Sequence, residues 1–379
     1  MENFIAYNPV KLHFGKDVVN NLGEAASAYG KRVLFIYGKG SVKKYGYYDK
    51  VKAQLDNAGM EVFEYGGIKP NPIIEDARKA MELGITNKVD LIVALGGGSV
   101  IDTAKMVGLG IANNIDPWLI ISSQKPISEK MPLINVLTLA ATGTEMNAAA
   151  VLQNNEAGQK VGWGHPLNFP SESFLDPSYT LSVPKNYTSF GIVDLIAHAF
   201  EAYFGKGESS LIDDITFAII RDALNYGPRL LENLDDYSLR EAIMLDATLA
   251  LNGLTMYGKQ SGDWGVHSMG HEISLLFDTA HGATLSIAYP AWLKLQGDRI
   301  PERITKMGEA LFGAGTVDDS ISELEKAFKK LLSPIRLSEI GLDEDDAAKL
   351  LAQYNKNKVS GMFHSLGSSD HEKLIDLMR

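Results

Sequence analysis

Apolar and polar positions follow two different patterns along the 379-residue chain. In the first half, short apolar runs such as 31–37 and 90–95 alternate with segments of helical periodicity such as 47–58 and 99–112. Short buried strands that alternate with amphipathic helices are typical of a doubly wound parallel sheet. Such a sheet binds its ligands beyond the carboxyl ends of its strands.

After Leu175-Asp-Pro177 the strand pattern ends and helical periodicity continues to the C-terminal region. We predict eight helices there, over 185–204, 211–226, 238–254, 265–276, 280–297, 299–312, 319–332 and 344–354. Tyr226-Gly-Pro228 and Asn252-Gly253 are two of the predicted breaks between helices. The prediction is an α/β, Rossmann-like dinucleotide-binding domain at 1–180 and an all-helical domain at 181–379, and the length suits two domains.

Composition excludes several classes of function. The chain has 47 acidic and 36 basic residues, a net charge of -11, and no basic stripe that would bind nucleic acid. It has no cysteine, so disulfides and thiolate catalysis are excluded, and a bound metal needs nitrogen and oxygen ligands. No targeting segment opens the sequence and no apolar run reaches the ~18 residues of a membrane span. A cytoplasmic protein without a membrane partner is expected.

Two glycine-rich loops follow predicted strands. Gly96-Gly97-Gly98-Ser99 joins a strand to a helix, where backbone amides and the helix N-terminus can bind a phosphate. The pattern is neither the G-x-G-x-x-G fingerprint nor a P-loop, and a plain tight turn is the alternative.

The second loop, Gly38-Lys39-Gly40-Ser41, lies where a doubly wound sheet binds the adenosine ribose. It contains no acidic residue for the ribose 2′-OH. Lys39, Ser41, Lys43 and Lys44 suit a 2′-phosphate instead, so NADP(H) is favoured over NAD(H). An exposed basic turn is the alternative explanation.

Histidines and an aspartate recur at helical spacing in the second half. Asp194 and His198 are four residues apart in GIVDLIAHAFE, and His267 and His271 repeat that spacing in DWGVHSMGHEIS. Residues at i and i+4 share one face of a helix, so two such pairs can form a nitrogen and oxygen site for Fe²⁺ or Zn²⁺. A hydrogen-bonded core histidine is the alternative at each position. Small residues flank these pairs and allow close helix packing: Gly191, Ala197, Ala199, Gly270 and Gly282.

Taken together, the residues resemble the iron-containing, group III alcohol dehydrogenases, and within them the NADP-dependent butanol dehydrogenase and aldehyde reductase branch. The resemblance covers essentially the whole chain. Its motifs are LHFG at 12–15, FEYGGI at 63–68, PNP at 70–72, GGGSVID at 96–102, NIDPW at 114–118, LTLAATGTEMN at 137–147, LDP at 175–177, VDLIAH at 193–198, ALNGL at 250–254 and the segment from Asp263 to Glu272. It implies a dehydroquinate synthase-like two-domain architecture.

The resemblance also implies roles for individual residues. Asp194, His198, His267 and His281 match the family's metal ligands, so 181–379 becomes the metal-binding domain, and His271 matches a histidine beside the metal and the nicotinamide. Gly97, Gly98 and Ser99 match the pyrophosphate loop. Further matches to positions of the cofactor site are Gly38, Ser41, Asn71, Asp102, Thr138, Thr142, Asn147, Lys160 and Tyr179. Lys39 departs from the Gly-Gly-Gly-Ser that is common in this branch and places a cation in the cofactor site where NAD-dependent members have an Asp. The segment 161–166, with His165, follows no family pattern and receives no role.

The implied reaction is hydride transfer between NADP(H) and a short- to medium-chain aliphatic alcohol or aldehyde, similar to butanol and butanal. Asp194 and His267 act as metal ligands, and His271 either relays a proton or only orients a ligand. Trp163, Leu254, Met256 and Trp264 are candidates for an apolar substrate pocket.

Two alternatives remain: a glycerol- or lactaldehyde-type polyol dehydrogenase that uses NAD, and a non-catalytic nucleotide-binding homologue. Fe²⁺ and Zn²⁺ both suit the ligand set. Pairing of the strand-like N-terminus with a second chain predicts a homodimer.

Overall fold

The computed structural model describes residues 1–379 and contains a six-stranded, wholly parallel sheet. The strand order across the sheet is β1-β8-β5-β4-β2-β3. The strands are β1 Lys11–Phe14, β2 Arg32–Gly38, β3 Glu61–Ile68, β4 Leu91–Gly96, β5 Leu133–Leu137 and β8 Glu172–Leu175. Two further strands, β6 Ala149–Asn154 and β7 Gln159–Gly164, form a separate antiparallel hairpin.

Helices cover both faces of the sheet, which explains why its strands are continuous apolar runs. Val33 and Phe35 of β2 lie in one core cluster, and Leu34 and Ile36, which point to the opposite face, lie in the other. The helices of this part are α1 Leu22–Ser27, α2 Ser41–Lys44, α3 Tyr47–Asn57, α4 Ile74–Thr86, α5 Gly98–Asn113 and α6 Pro117–Ile121.

The direction of the chain across the sheet reverses between β2 and β4. From β2 the chain continues outward to β3, whereas from β4 it continues to β5 on the other side. Doubly wound sheets bind ligands at this kind of switch point, beyond the carboxyl ends of the strands. The Gly38–Ser41 and Gly96–Ser99 loops follow these two adjacent strands.

From residue 184 onward the chain is helical. The helices are α7 Lys185–Phe204, α8 Ser210–Glu232, α9 Tyr237–Leu251, α10 Gly265–Phe277, α11 His281–Gln296, α12 Pro301–Phe312, α13 Val317–Lys330, α14 Glu344–Asn357 and α15 Ser368–Met378. The predicted α/β plus all-helical fold class is confirmed.

One predicted helix end is wrong. Helix α8 continues through Gly227 and Pro228 to Glu232 instead of breaking there. A Cβ on Gly227 would lie 2.7 Å from Leu331 and 3.2 Å from Ile192, so this glycine allows close packing of α8. Helix α15 lies beyond the last predicted helix and was not predicted.

The chain divides into two compact units. We call 7–183 with 235–244 the sheet unit, and 1–6 with 184–234 and 245–379 the helical unit. None of the helices combines the length and apolar character that a membrane crossing requires.

Candidate functional site

Helix α7 carries the first half of the predicted metal site. Asp194 and His198 are buried, with exposed fractions of 3% and 5%. Their four-residue spacing places both side chains on one face, and His198 Nδ1 lies 3.6 Å from Asp194 Oδ1. The helix exposes almost none of its central residues, so these two polar groups face the interior of the helical unit.

Helices α10 and α11 bring two further histidines to the same oxygen atom. His267 is the third residue of α10, and its Nε2 lies 3.8 Å from Asp194 Oδ1. His281 is the first residue of α11, and its Nε2 lies 3.9 Å from the same atom. Asp194, His267 and His281 each offer a ligand atom within 4.8 Å of the others, and the His198 ring lies 4.5 Å from that of His267.

The unpartnered polar atoms of this cluster fit a bound cation. Asp194 Oδ1, His198 Nδ1 and His267 Nε2 are buried and have no hydrogen-bond partner. Buried polar atoms normally have partners, because leaving one unsatisfied costs about 1–3 kcal/mol. Metal–ligand bonds of 2.0–2.2 Å place neighbouring ligand atoms roughly 3.4 Å apart in a tetrahedron, close to the separations around Asp194.

The pKa values of the buried imidazoles of His198 and His267 are shifted in opposite directions. Burial, opposed by Asp194, lowers the pKa of His198 to about 4. Burial also acts to lower the pKa of His267, but Asp194 and Glu201 outweigh it and raise this pKa to about 9. His198 is therefore neutral and able to bind a metal. His267 instead holds an extra proton because it lies between two carboxylates, and a bound divalent cation would displace that proton.

Two glycines bring the helices close enough for this cluster to form. A Cβ on Gly282, next to His281, would lie 2.0 Å from the carbonyl oxygen of Phe190 on α7. A Cβ on Gly270 of α10 would lie 2.6 Å from Thr284 Oγ1 on α11. Any larger residue would push these helices apart.

His271 and Trp264 lie beside the cluster. The His271 ring is 5.2 Å from the His281 ring, and His271 is not one of the three clustered ligands. The Trp264 ring meets those of His267 and His198 edge-on, at 5.6 and 6.4 Å. Trp264 thus forms an apolar wall next to the imidazoles.

Sequence reasoning missed a buried carboxylate at this site. Glu201 of α7 has an exposed fraction of 1% and accepts a hydrogen bond of 2.8 Å from His267 Nδ1. It follows Asp194 by seven residues and His198 by three, so it lies on the same helix face. The same spacing in GIVDLIAHAFE could have predicted that Glu201 lies beside the metal ligands.

In the sheet unit, the triple-glycine loop packs against the segment after β5. A Cβ on Gly98 would lie 2.8 Å from Thr142 Oγ1, and a Cβ on Gly97 would lie 3.1 Å from Leu139. No side chain caps the start of α5 at Gly97 and Gly98, which leaves its first backbone amides for an anion. Ser99 stands in the first turn of α5, and the Thr138 amide bonds to Gly96 O at 3.0 Å.

In the Gly38–Ser41 loop, only some of the predicted cations are available. Lys39 is exposed and makes no hydrogen bond or ion pair within the chain. Lys43 instead lies over the rings of Tyr37 and Tyr48, at 5.0 and 4.5 Å. Lys44 lies over the Tyr45 ring at 5.2 Å, so Lys39 is the one of the three lysines without an aromatic partner.

Several predicted cofactor residues make contacts within the sheet unit. Lys160 Nζ bonds to Asn71 Oδ1 at 2.8 Å, which joins the β6–β7 hairpin to the Pro-Asn-Pro segment. The buried Tyr179 ring stacks on Tyr47 at 4.5 Å.

Asp102 and Asn147 belong to a buried cluster that sequence reasoning missed. The Thr144 hydroxyl donates to Asp102 Oδ1 at 2.6 Å, and Lys105 Nζ donates to Thr144 Oγ1 and to Asn147 Oδ1 at 2.8 and 3.2 Å. Burial raises the pKa of Asp102, and burial lowers the pKa of Lys105 to about 8. Through these hydrogen bonds, Asp102 and Lys105 of α5 hold the segment before β6.

Trp163 and His165, from the segment without a family pattern, stack with ring centroids 5.4 Å apart. His165 Nδ1 accepts a hydrogen bond from the Leu167 amide. With Ile120, Lys125 and their neighbours they line a cavity of about 360 Å³ in the sheet unit. The assignment of Trp163 to the substrate pocket stays a prediction, as do those of Leu254 and Met256.

Residues 9–177 match the family described as iron-containing alcohol dehydrogenase, and residues 188–376 match the C-terminal part of the Fe-containing alcohol dehydrogenase family. The chain belongs to the iron-containing alcohol dehydrogenase family. The predicted family and the predicted enzyme class, an oxidoreductase of the alcohol dehydrogenase and aldehyde reductase type, are confirmed, whereas the NADP dependence stays a prediction. Members of this family use a metal and a nicotinamide cofactor.

The relatives are similar over nearly their whole lengths. A probable NADH-dependent butanol dehydrogenase 1 of Bacillus subtilis is 36% identical over 98% of each chain. The NADPH-dependent aldehyde reductase YqhD of Escherichia coli is 33% identical over 100% of this chain and 98% of that protein. The solved structure of NADH-dependent butanol dehydrogenase A from Thermotoga maritima has a TM-score of 0.96 and 35% identity, with 100% and 99% of the two chains covered. The named cofactors differ between these relatives.

Proposed function

We propose that this enzyme transfers hydride between NADP(H) and short- to medium-chain aliphatic alcohols or aldehydes, at a divalent ion held by Asp194, His198, His267 and His281. The observation that supports the metal site is Asp194 Oδ1, a buried atom without a donor that three imidazoles approach to within 3.6–3.9 Å. We assign nucleotide binding to 1–180 and metal binding to 181–379. Oxygen and nitrogen ligands suit Fe²⁺ and Zn²⁺ alike.

When bound, the ion supplies Lewis acidity toward the oxygen of the alcohol or aldehyde. The protein's own groups then have separate tasks. Trp264 covers the imidazoles with an apolar ring, which excludes water and favours an aliphatic substrate. A bound nicotinamide would supply the hydride for the carbonyl carbon of an aldehyde, and the carbonyl oxygen would then need a proton. We assign delivery of that proton to His271, whose ring lies beside His281.

In the sheet unit, we assign the pyrophosphate to the uncapped start of α5 at Gly97, Gly98 and Ser99. The proposed preference for NADP(H) depends on Lys39, the free cation of the loop after β2. Relatives named as NADH-dependent and as NADPH-dependent both occur at similar identity, so this preference needs its own experiment.

The test of the overall function is elemental analysis of anaerobically purified protein, combined with NADPH and NADH oxidation over aldehydes of two to eight carbons. We expect one equivalent of iron or zinc and the highest kcat/KM on four-carbon or similar substrates with NADPH. Fast glycerol oxidation with NAD would favour the polyol dehydrogenase alternative. Absence of bound metal would contradict the proposed centre.

The test of cofactor preference is Lys39→Asp. This change places a carboxylate where a 2′-phosphate would bind, so the NADPH/NADH ratio of kcat/KM should fall by about tenfold or more, as expected for the loss of ~1.5–3 kcal/mol of charged hydrogen bonding. Lys79→Asp, an equal charge change at an exposed position of α4, is the control. An unchanged ratio in Lys39→Asp would remove Lys39 from the proposal.

A further inference from the structure

The reaction outlined above assigns no task to Glu201, although it is among the most buried carboxylates of the helical unit. Its exposed fraction is 1%, and it lies on the α7 face that carries Asp194 and His198. A buried carboxylate needs donors to offset its desolvation. The identity of those donors indicates what the residue does.

Glu201 receives three N–H groups from the start of α10. Its Oε2 accepts from the Trp264 amide at 2.5 Å, and its Oε1 accepts from the His267 amide at 3.0 Å and from His267 Nδ1 at 2.8 Å. Trp264, the residue before α10, has a left-handed backbone with φ 63°, and no side chain of its own segment caps the helix. A carboxylate from α7 thus caps α10, where the helix dipole favours negative charge.

The bond to His267 Nδ1 also determines the state of that imidazole. A carboxylate can only accept a hydrogen bond, so Nδ1 must carry a proton. In a neutral ring the lone pair is then on Nε2, the atom that lies 3.8 Å from Asp194 Oδ1 and has no hydrogen-bond partner. We propose that Glu201 is a positioning residue that sets the tautomer and ring orientation of His267 for metal binding, an inference that rests on the proposed metal centre.

A purely structural role is the alternative, because capping α10 needs only the two main-chain bonds. The variant Glu201→Gln separates the two roles. A glutamine has one accepting oxygen and one donating NH₂ group. If the oxygen caps Trp264, the NH₂ group meets His267 Nδ1 and favours the tautomer with a proton on Nε2, which cannot bind metal. If the oxygen faces His267, the NH₂ group opposes the Trp264 amide and the ring loses its anionic partner.

The matched control is Glu272→Gln. Glu272 is also buried and lies on α10. It accepts hydrogen bonds from two side chains of α14, Gln353 Nε2 at 2.8 Å and Asn357 Nδ2 at 3.0 Å. This change removes a buried charge from the same helix without altering the partner of His267 Nδ1. We expect it to affect stability but not metal binding.

The experiment measures the affinity of full-length, metal-free protein for Co²⁺ and Zn²⁺ by chelator competition, together with the visible absorption spectrum of the Co²⁺ form. Thermal unfolding of the metal-free proteins checks the fold. For Glu201→Gln we expect affinity to fall about 10- to 100-fold, as for other residues that orient metal ligands, and the Co²⁺ spectrum to change. Glu272→Gln should retain the wild-type affinity and spectrum.

Wild-type affinity and spectrum in Glu201→Gln would overturn the inference and leave Glu201 as a helix cap. Failure of the wild-type protein itself to bind either ion would overturn the proposed metal centre and, with it, this role. If Glu201→Gln does not fold, Glu201→Asp is measured in the same way, because it keeps the charge but withdraws it by one methylene. A fall in affinity with a changed spectrum supports the inference, and wild-type values overturn it.

Discussion

Two buried aspartates on neighbouring helices of the helical unit have opposite surroundings. Asp213 of α8 is fully buried and accepts hydrogen bonds from Arg303 Nη1, Lys259 Nζ and Lys306 Nζ at 2.6, 2.8 and 3.3 Å. Asp194 of α7 is almost as buried, yet its Oδ1 has no donor and faces imidazole nitrogens instead. One carboxylate is saturated by the protein's own cations, and the other is not.

The difference separates a structural ion cluster from a candidate ligand site. At Asp213, burial acts to raise the pKa, but Arg303 and Lys259 outweigh it and lower the pKa below its usual value. The charge is thus neutralised inside the fold. At Asp194, neutralisation needs a cation from outside, and the surrounding imidazoles are ligands that Fe²⁺ and Zn²⁺ accept. Substitutions of three buried aspartates test this difference.

The largest effect is expected for Asp194→Asn. The change replaces the anionic carboxylate of the proposed metal site with a neutral amide, whose oxygen is a much weaker ligand. Metal affinity should therefore fall by more than ~100-fold, beyond the range for residues that only support a ligand. Turnover should fall with it, while the unfolding free energy of the metal-free protein should stay within about 1 kcal/mol of wild type or rise. Metal analysis and urea unfolding measure the two quantities. Retention of a full equivalent of metal would contradict the assignment.

The reverse result is expected for Asp213→Asn. It leaves Lys259 and Arg303 buried without their counter-charge, so the unfolding free energy should fall by roughly 3–5 kcal/mol. Metal affinity of the folded protein should be unaffected, because Asp213 does not contact the histidines. Urea unfolding is the measurement, and Asp214→Asn, at the next and exposed position of α8, is the control. A decrease in unfolding free energy of less than 1 kcal/mol would show that the ion cluster around Asp213 does not stabilise the fold.

The third change concerns Asp246 of α9, a buried carboxylate whose pKa is affected by no cation or imidazole. Burial, with a contribution from Asp222, raises its pKa to about 7, and its Oδ2 has no hydrogen-bond partner. Because the unfolded aspartate titrates near 3.9, the folded protein holds the extra proton between about pH 4 and pH 7. Stability from this group is therefore present at pH 4 and is lost as the pH rises through 7.

Asp246→Asn should match wild type near pH 4 and exceed it by up to about 4 kcal/mol at pH 8, since it removes the cost of ionising this group. The measurement is unfolding free energy as a function of pH for both proteins. Asp222→Asn should reproduce a smaller part of the gain, because it removes only the repulsion. A gain of equal size at pH 4 and pH 8 would contradict the titration of Asp246.

Much of the fold was determined by local sequence signals. Continuous apolar runs such as 31–37 identified strands that are covered on both faces, and 3.6-residue periodicity identified most of the helices. These signals succeed because burial patterns repeat with the geometry of a strand or a helix. The predicted end of α8 was wrong because Gly227 allows close packing against Ile192 and Leu331, which local sequence does not reveal, and the helix continues through Pro228.

For the site, residue spacing was enough to predict which side chains share a helix face, including Asp194 with His198. The packing of the helices was needed to bring His267 and His281 to the same oxygen, because this depends on the close helix contacts at Gly270 and Gly282. The tertiary structure also decided that Lys43 is engaged by two tyrosine rings while Lys39 is free, and that Glu201 bonds His267 across two helices. Local periodicity specifies the direction of a side chain within one element, whereas a partner from a distant part of the chain is specified only when the elements pack.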